Sequence, residues 1–135
     1  EMKKNNAFKE EKIEGKLLLD KTDKLEPNDP ILAIPDYPGQ KRAKVYTVNF
    51  TQGKTYVIHM KLGGPPPKIG EFSKLDPYLF LIDPNKKIAQ TDDDGGGYPN
   101  ARIQYVASMT GPYTIYATGL SEQSIGMFTL TAEER

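Results

Sequence analysis

Apolar and polar residues alternate with a period of two along most of this chain, the pattern of half-buried strands rather than helices. In residues 43–50, Tyr46, Val48 and Phe50 fall on one face. In residues 54–62, Tyr56, Ile58, Met60 and Leu62 share a face, while Lys54, His59 and Lys61 fall largely on the other. Thr51-Gln52-Gly53 between these two segments reads as a tight hairpin connection. Residues 78–83 are apolar at both parities, which predicts a central strand, with residues 86–91 pairing back on it across Pro84-Asn85. Further strands are predicted at 15–20, around Leu17-Leu18-Leu19, and at 102–107, 113–118 and 126–131. Residues 21–40 are rich in proline and aspartate and read as a long irregular connection. Residues 63–70, with Pro65-Pro66-Pro67, form a loop that cannot pair as a strand. The sum is an all-β chain of about eight short antiparallel strands, a β-sandwich of jelly-roll-like or other Greek-key form. Residues 1–14 are a polar lead-in, and 15–135 make one domain.

Composition narrows the function classes. Lysine plus arginine and aspartate plus glutamate number 18 each, so the chain has no net charge. That argues against a nucleic-acid binder, which needs a basic face to neutralise phosphates. With no cysteine there is no disulfide framework, thiolate metal site or cysteine nucleophile. No apolar run approaches the roughly 18 residues of a membrane-spanning helix. Behind Glu1-Met2-Lys3-Lys4 no apolar segment follows, so no signal peptide is visible, and a mature or excised chain would read the same way.

The densest chemistry lies at Asp92-Asp93-Asp94-Gly95-Gly96-Gly97. Adjacent like charges repel unless a cation sits on them. The glycines let the backbone fold back so that oxygens converge. Oxygen ligands on a flexible loop suit a hard cation, calcium before magnesium. The other reading is a solvated acidic turn whose aspartates cap backbone N–H groups. The spacing is not that of an EF-hand, since Asp92, Asp94 and Gly96 do not reproduce its loop and no glutamate closes it.

No catalytic set emerges, and the chain is expected not to be an enzyme. His59, the only histidine, sits mid-strand among lysines and faces outward by parity. Ser73, Ser108, Ser121 and Ser124 lack a nucleophile-elbow setting, and three adjacent aspartates do not make a glycosidase pair. Tyr46, Tyr56, Tyr105 and Tyr113 have inward parity and are expected in the core. Tyr37 and Tyr98 lie in loops, where aromatic rings on a rigid scaffold are candidates to grip a ligand. Lys41-Arg42-Ala43-Lys44 reads as a solvated strand edge that discourages edge pairing.

An ordered series of short motifs resembles the bacterial pre-peptidase C-terminal domain, a family related to the collagen-binding domains of clostridial collagenases. It comprises Asp76-Pro77-Tyr78-Leu79, Leu81-Ile82-Asp83, Asp92-Asp93-Asp94, Asn100-Ala101-Arg102-Ile103 and Thr110-Gly111-Pro112-Tyr113. Gln52-Gly53-Lys54-Thr55-Tyr56 and Gly126-Met127-Phe128-Thr129-Leu130 flank it, and Glu26-Pro27-Asn28-Asp29 is similar to the family's opening. The match covers residues 26–132, in a form most like those of planctomycete-type bacteria. Lys86-Lys87 departs from the family's usual glycine at the strand turn. The resemblance implies an exported, non-catalytic accessory domain, secreted or in the periplasm or cell envelope, that docks an extracellular polymer or protein partner. It also implies calcium, held by Glu26, Asn28 and Asp29 from the opening and by Asp76, Asp92, Asp93 and Asp94, with Asn100 adding an oxygen or simply holding the turn. The alternative is a structural or assembly component of an extracytoplasmic complex with no ligand of its own.

Overall fold

The computed structural model describes residues 15–63, 75–97, 99–121 and 124–135. The lead-in at 1–14, most of the proline-rich loop, Ser73 and Tyr98 lie outside the described residues. Nine strands form among the described residues: β1 (Lys16–Leu25), β2 (Ile31–Ala33), β3 (Gln40–Phe50), β4 (Thr55–Leu62), β5 (Pro77–Ile82), β6 (Ile88–Asp92), β7 (Ala101–Val106), β8 (Gly111–Gly119) and β9 (Gly126–Glu134). There is no helix among the described residues. One sheet has the order β1-β9-β4-β7 and the other β2-β3-β8-β5-β6, all neighbours antiparallel. With the three-residue β2 set aside, the eight remaining strands run in jelly-roll order.

Three local expectations change. β1 continues through Lys21-Thr22-Asp23-Lys24-Leu25, which the sequence pattern assigned to the irregular connection. Its charges hide the alternation, although Asp23, at the open side of the sandwich, accepts a hydrogen bond from the Tyr46 hydroxyl. The short β2 lies within the same stretch, pairing only with residues 40–42 of β3. Thr51-Gln52-Gly53 is not a hairpin, since β3 pairs with β8 while β4 pairs with β7 and β9 in the opposite sheet. The turn instead carries the chain from one layer to the other. Alternation tells that two strands flank a short turn, but not whether they lie in one sheet.

The inner faces meet in a core centred on aromatics. Phe50 stacks on Tyr56 with centroids 3.7 Å apart and also touches Tyr113 at 4.7 Å. Tyr56 and Tyr113 are fully buried, as parity predicts, and Tyr46 and Tyr105 pack at the core's margin. The Tyr56 hydroxyl accepts the Thr51 N–H at 2.7 Å and donates to Glu134 Oε1 at 3.0 Å, which ties the interlayer turn to the last strand.

A second apolar cluster lies on the outer face of the five-stranded sheet. Phe80 and Ile82 of β5 are buried there beneath Ile34, with Tyr37, Tyr78, Ile88 and Tyr116 around them. The segment after β2 crosses that face: Asp36, at a φ of 65°, accepts the Ile88 N–H at 3.0 Å, and Tyr37 meets Phe80 edge-on at 5.0 Å. This cover is why β5 is apolar at both parities. It also makes Tyr37 a packed residue rather than an unattached loop aromatic. Tyr37→Ala is expected to lower stability by about 1–2 kcal/mol, a partial version of a core aromatic truncation. Urea unfolding measures it, and an unchanged midpoint would show the ring contributes nothing to this cover.

The two open sides of the sandwich are sealed by polar side chains. On one, Asp92 at the end of β6 reaches Arg102 N–H on β7. On the other, the Tyr46 hydroxyl donates to Asp23 Oδ2 at 2.7 Å, and Lys44 Nζ stands 3.1 Å from Asp29 Oδ1 and 4.0 Å from Asp23 Oδ1. Lys41 donates to the carbonyls of Gly119 and Leu120 and lies over the Tyr78 ring. The lysines of 41–44 are thus engaged with the fold and do not form the solvated guard that the sequence implied.

Candidate metal centre

The β5–β6 hairpin sets the geometry. Its antiparallel register places Leu79 opposite Asp92, so the residue that precedes β5 and those that follow β6 end up at the same end of the sheet. Asp76, Asp93 and Asp94 meet there, each offering a carboxylate oxygen, all within 4.8 Å of one another. The hairpin turn is locally determined. Asp83 Oδ1 accepts the N–H groups of Asn85 and Lys87, and Lys86 takes the left-handed conformation (φ 65°), which glycine adopts most readily.

The loop after β6 is held by its own main chain and by Asp92. The Asp92 Oδ2 atom accepts N–H groups from Gly95 at 2.7 Å and Arg102 at 2.8 Å. A Cβ on Gly95 would lie 2.7 Å from that carboxylate, and Gly97 has a φ of 90°, so both glycines are needed for the loop to close. The Gly97 N–H donates to the Asp94 carbonyl, Asn100 N–H to the Gly97 carbonyl, and Gly96 N–H to the Asn100 carbonyl. Asp92 being committed inward, Asp93 and Asp94 are left to face Asp76. On the other side, Asp76 is fixed by its backbone: its N–H donates to Ser124 Oγ at 2.7 Å and its carbonyl accepts Leu120 N–H at 3.0 Å. No sequence signal pointed to Ser124 or Leu120 in this role, because their proximity depends on the turn between β8 and β9.

The electrostatics of the cluster are unfavourable without a cation. Burial, and next the Asp76 charge, push the Asp93 carboxyl up to about 6. Burial, then the Asp94 charge, raise Asp76, against a hydrogen bond with Asp93 that acts the other way. One oxygen of Asp76 and one of Asp93 are buried yet accept no hydrogen bond. Orphaned buried carboxylate oxygens are costly, and a hard divalent cation is the group that satisfies them. Three carboxylates supply part of the six to eight oxygens calcium takes, and the exposure of Asp94 leaves room for water to complete the shell. The residues present therefore fit the ion.

The other residues nominated for the metal lie elsewhere. Asp29 Oδ2 caps the Glu26 N–H at 2.7 Å, and the Asp29 N–H returns to the Glu26 carbonyl, closing a turn, while its Oδ1 faces Lys44. Glu26 and Asn28 are exposed in that turn. Asn100 Oδ1 accepts the Leu62 N–H at 2.8 Å and so holds the loop against β4. The structure thus brings the carboxylates of Asp76, Asp93 and Asp94 together, and does not bring those of Glu26, Asp29 or Asp92 into that set. His59 lies between Arg102 and Thr131 on the outer face of the four-stranded sheet, as parity predicts.

A jelly-roll sandwich with a carboxylate cluster at one end of the β5–β6 hairpin, at the edge of its sheet, is the class of domain these observations define. The fold is that of a pre-peptidase C-terminal domain. It is similar to that domain in a collagenase from Bacillus anthracis, with a TM-score of 0.57 and 17% identity over 95% of this chain and 100% of that one. It is also similar to PliG of Aeromonas hydrophila, a periplasmic inhibitor of g-type lysozyme, with a TM-score of 0.54 and 13% identity over 90% of this chain and 88% of that one. No protein-family model matches the sequence, and no curated protein matches it.

Proposed function

We propose that this chain is a non-catalytic, exported accessory module that docks an extracellular polymer or partner protein and is stiffened by one calcium ion on Asp76, Asp93 and Asp94. The observation that carries the metal is the pair of buried, unpartnered oxygens on Asp76 and Asp93 inside the carboxylate cluster. Bound there, calcium would neutralise most of the local charge and cross-link the start of β5 to the loop after β6. Asp92 and Asn100 then act as loop holders, keeping Asp93 and Asp94 aimed at the site. The accessory role is supported by the two fold relatives, a domain of a collagenase and an inhibitor. The relatives' settings, one named periplasmic, support export. No helix among the described residues is long and apolar enough to cross a membrane.

Calorimetric titration tests the metal. One calcium per chain is expected, with magnesium much weaker because it demands a tighter octahedron. Asp93→Asn is expected to abolish the heat, whereas Asp29→Asn is not. Docking is tested by co-sedimentation with insoluble collagen and by inhibition of a g-type lysozyme, probes chosen from the two relatives. Binding to neither would favour the second reading, a structural component of an extracytoplasmic assembly.

A further inference from the structure

The outer face of the four-stranded sheet is buried unevenly. Across its four strands runs the row Leu17, Glu133, Val57 and Gln104, and beside it the row Asp20, Thr131, His59 and Arg102. No described strand packs on this face, because the second sheet lies against the other one. Yet Val57 is 0% exposed and Glu133 only 4%, while Leu17 and Gln104, at the two ends of their row, are exposed. In the next row Thr131, His59 and Arg102 are half-buried and Asp20 is exposed. Glu133 Oε1 accepts the Arg135 Nε–H, but its Oε2 is buried and accepts no hydrogen bond. A valine and a carboxylate do not stay dry on a bare sheet face. Buried middle strands between exposed flanks are the footprint of a narrow segment lying along β9 and β4.

We propose that this segment is the chain's own lead-in, residues 1–14, folded back over β9 and β4. Position favours it over a foreign peptide. Gly15 is packed so closely on the end of β9 that a Cβ there would lie 1.7 Å from the Glu134 carbonyl oxygen. The lead-in therefore joins the sheet at the Glu133 end of the footprint. From Glu133 to Thr131 the footprint runs about 7 Å along the strand, and fourteen residues span about 21 Å even at the short rise of a helix. A tether at that corner also gives the lead-in a local concentration that a free partner lacks. Chemistry agrees. Ile13 brings an apolar group for Val57, and Lys12 brings a donor for Glu133 Oε2. Within 9–14 the acids Glu10, Glu11 and Glu14 outnumber Lys9 and Lys12. The face has the opposite excess, with Lys61, Arg102 and Arg135 against Glu133. None of the carboxylate cluster takes part, so the proposal stands or falls separately from calcium binding.

The chain has no cysteine, so a nitroxide attached at Asn6→Cys is a single, defined spin label. In NMR spectra of the full chain, the amide signals of Val57, His59 and Thr131 should lose most of their intensity. Those of Phe80 and Tyr116, on the outer face of the other sheet, should keep theirs. Adding Ile13→Asp should restore the lost signals, because a carboxylate cannot be seated against buried Val57 without a partner. In a mixture of isotope-labelled chain without nitroxide and spin-labelled chain without isotope, no loss is expected. Losses spread evenly over both sheets, or centred on other strands, overturn the proposal. So does a pattern that survives Ile13→Asp. Loss in the mixture overturns it too, since the lead-in would then lie on a second copy.

Discussion

Calcium at pH 7.5 is expected to raise the melting temperature of this domain by roughly 5–10 °C over chelator, and the increment is expected to shrink below pH 6. The first part follows from linkage: a ligand that binds only the folded state at about a hundred times its dissociation constant adds about 2.7 kcal/mol. The second follows from the proton that competes for the same oxygens. Asp93 titrates at about 6 in the fold against an ordinary 3.8, and Asp76 is raised in the same direction. A raised carboxyl favours the folded state while protonated. Its contribution is fully present below about pH 4 and is lost as pH rises through about 6. In chelator the domain should therefore lose stability across that window, by about 2 kcal/mol once solvent screening is allowed for. Asp93→Asn removes the calcium effect and the Asp93 share of the pH dependence, while Asp76 stays raised by burial and by Asp94. It should be more stable than the parent chain in chelator at pH 7.5, flatter with pH, and indifferent to calcium. Equal melting curves for the parent chain in calcium and chelator would leave these aspartates as turn residues only.

The second large effect is expected at Tyr56. Tyr56→Ala should cost about 3–5 kcal/mol, because it empties a fully buried site against Phe50 in the middle of the core. Against a typical total of about 5–15 kcal/mol, that is enough to unfold a large fraction of molecules near physiological temperature. Tyr56→Phe separates packing from polarity. It keeps the stack but strands the Thr51 N–H and a Glu134 oxygen, for an expected loss of about 1–2 kcal/mol. Urea unfolding with an unchanged slope measures both. Equal costs for the two variants would mean the hydroxyl bonds, not the stacking, hold the interlayer turn in place.

Much of the fold was legible because its signal is local. The parity of Tyr46, Val48 and Phe50, and of Tyr56, Ile58 and Met60, depends only on the two-residue repeat of an extended backbone, and each of these faces turned inward. The doubly apolar β5 was readable as a strand with neighbours on both sides, and its second apolar face meets the cover formed by Ile34 and Tyr37. What was missed lay where polar residues tie the side of the sandwich together. Asp23 on β1 and Lys44 on β3 look like surface residues in sequence, yet they seal the side of the sandwich with Tyr46 and Asp29. The candidate site was half legible. The Asp92-Asp93-Asp94 run announced itself by charge, but identical neighbours in sequence took different jobs in space.

The sequence by itself determined that this is an all-β chain, where most strands begin and end, which aromatic rings enter the core, and that acidic chemistry gathers after β6. Those properties follow from backbone periodicity, turn residues and local charge, all set within a few positions. Only the tertiary structure decided that the turn after β3 crosses between layers, that Tyr37 covers an outer-face cluster, and that Asp76 rather than Asp92, Glu26 or Asp29 completes the carboxylate set. Each of those depends on which strands pair and in what register. Pairing is governed by the burial of whole sheets against one another, a non-local free energy that no short stretch of residues encodes.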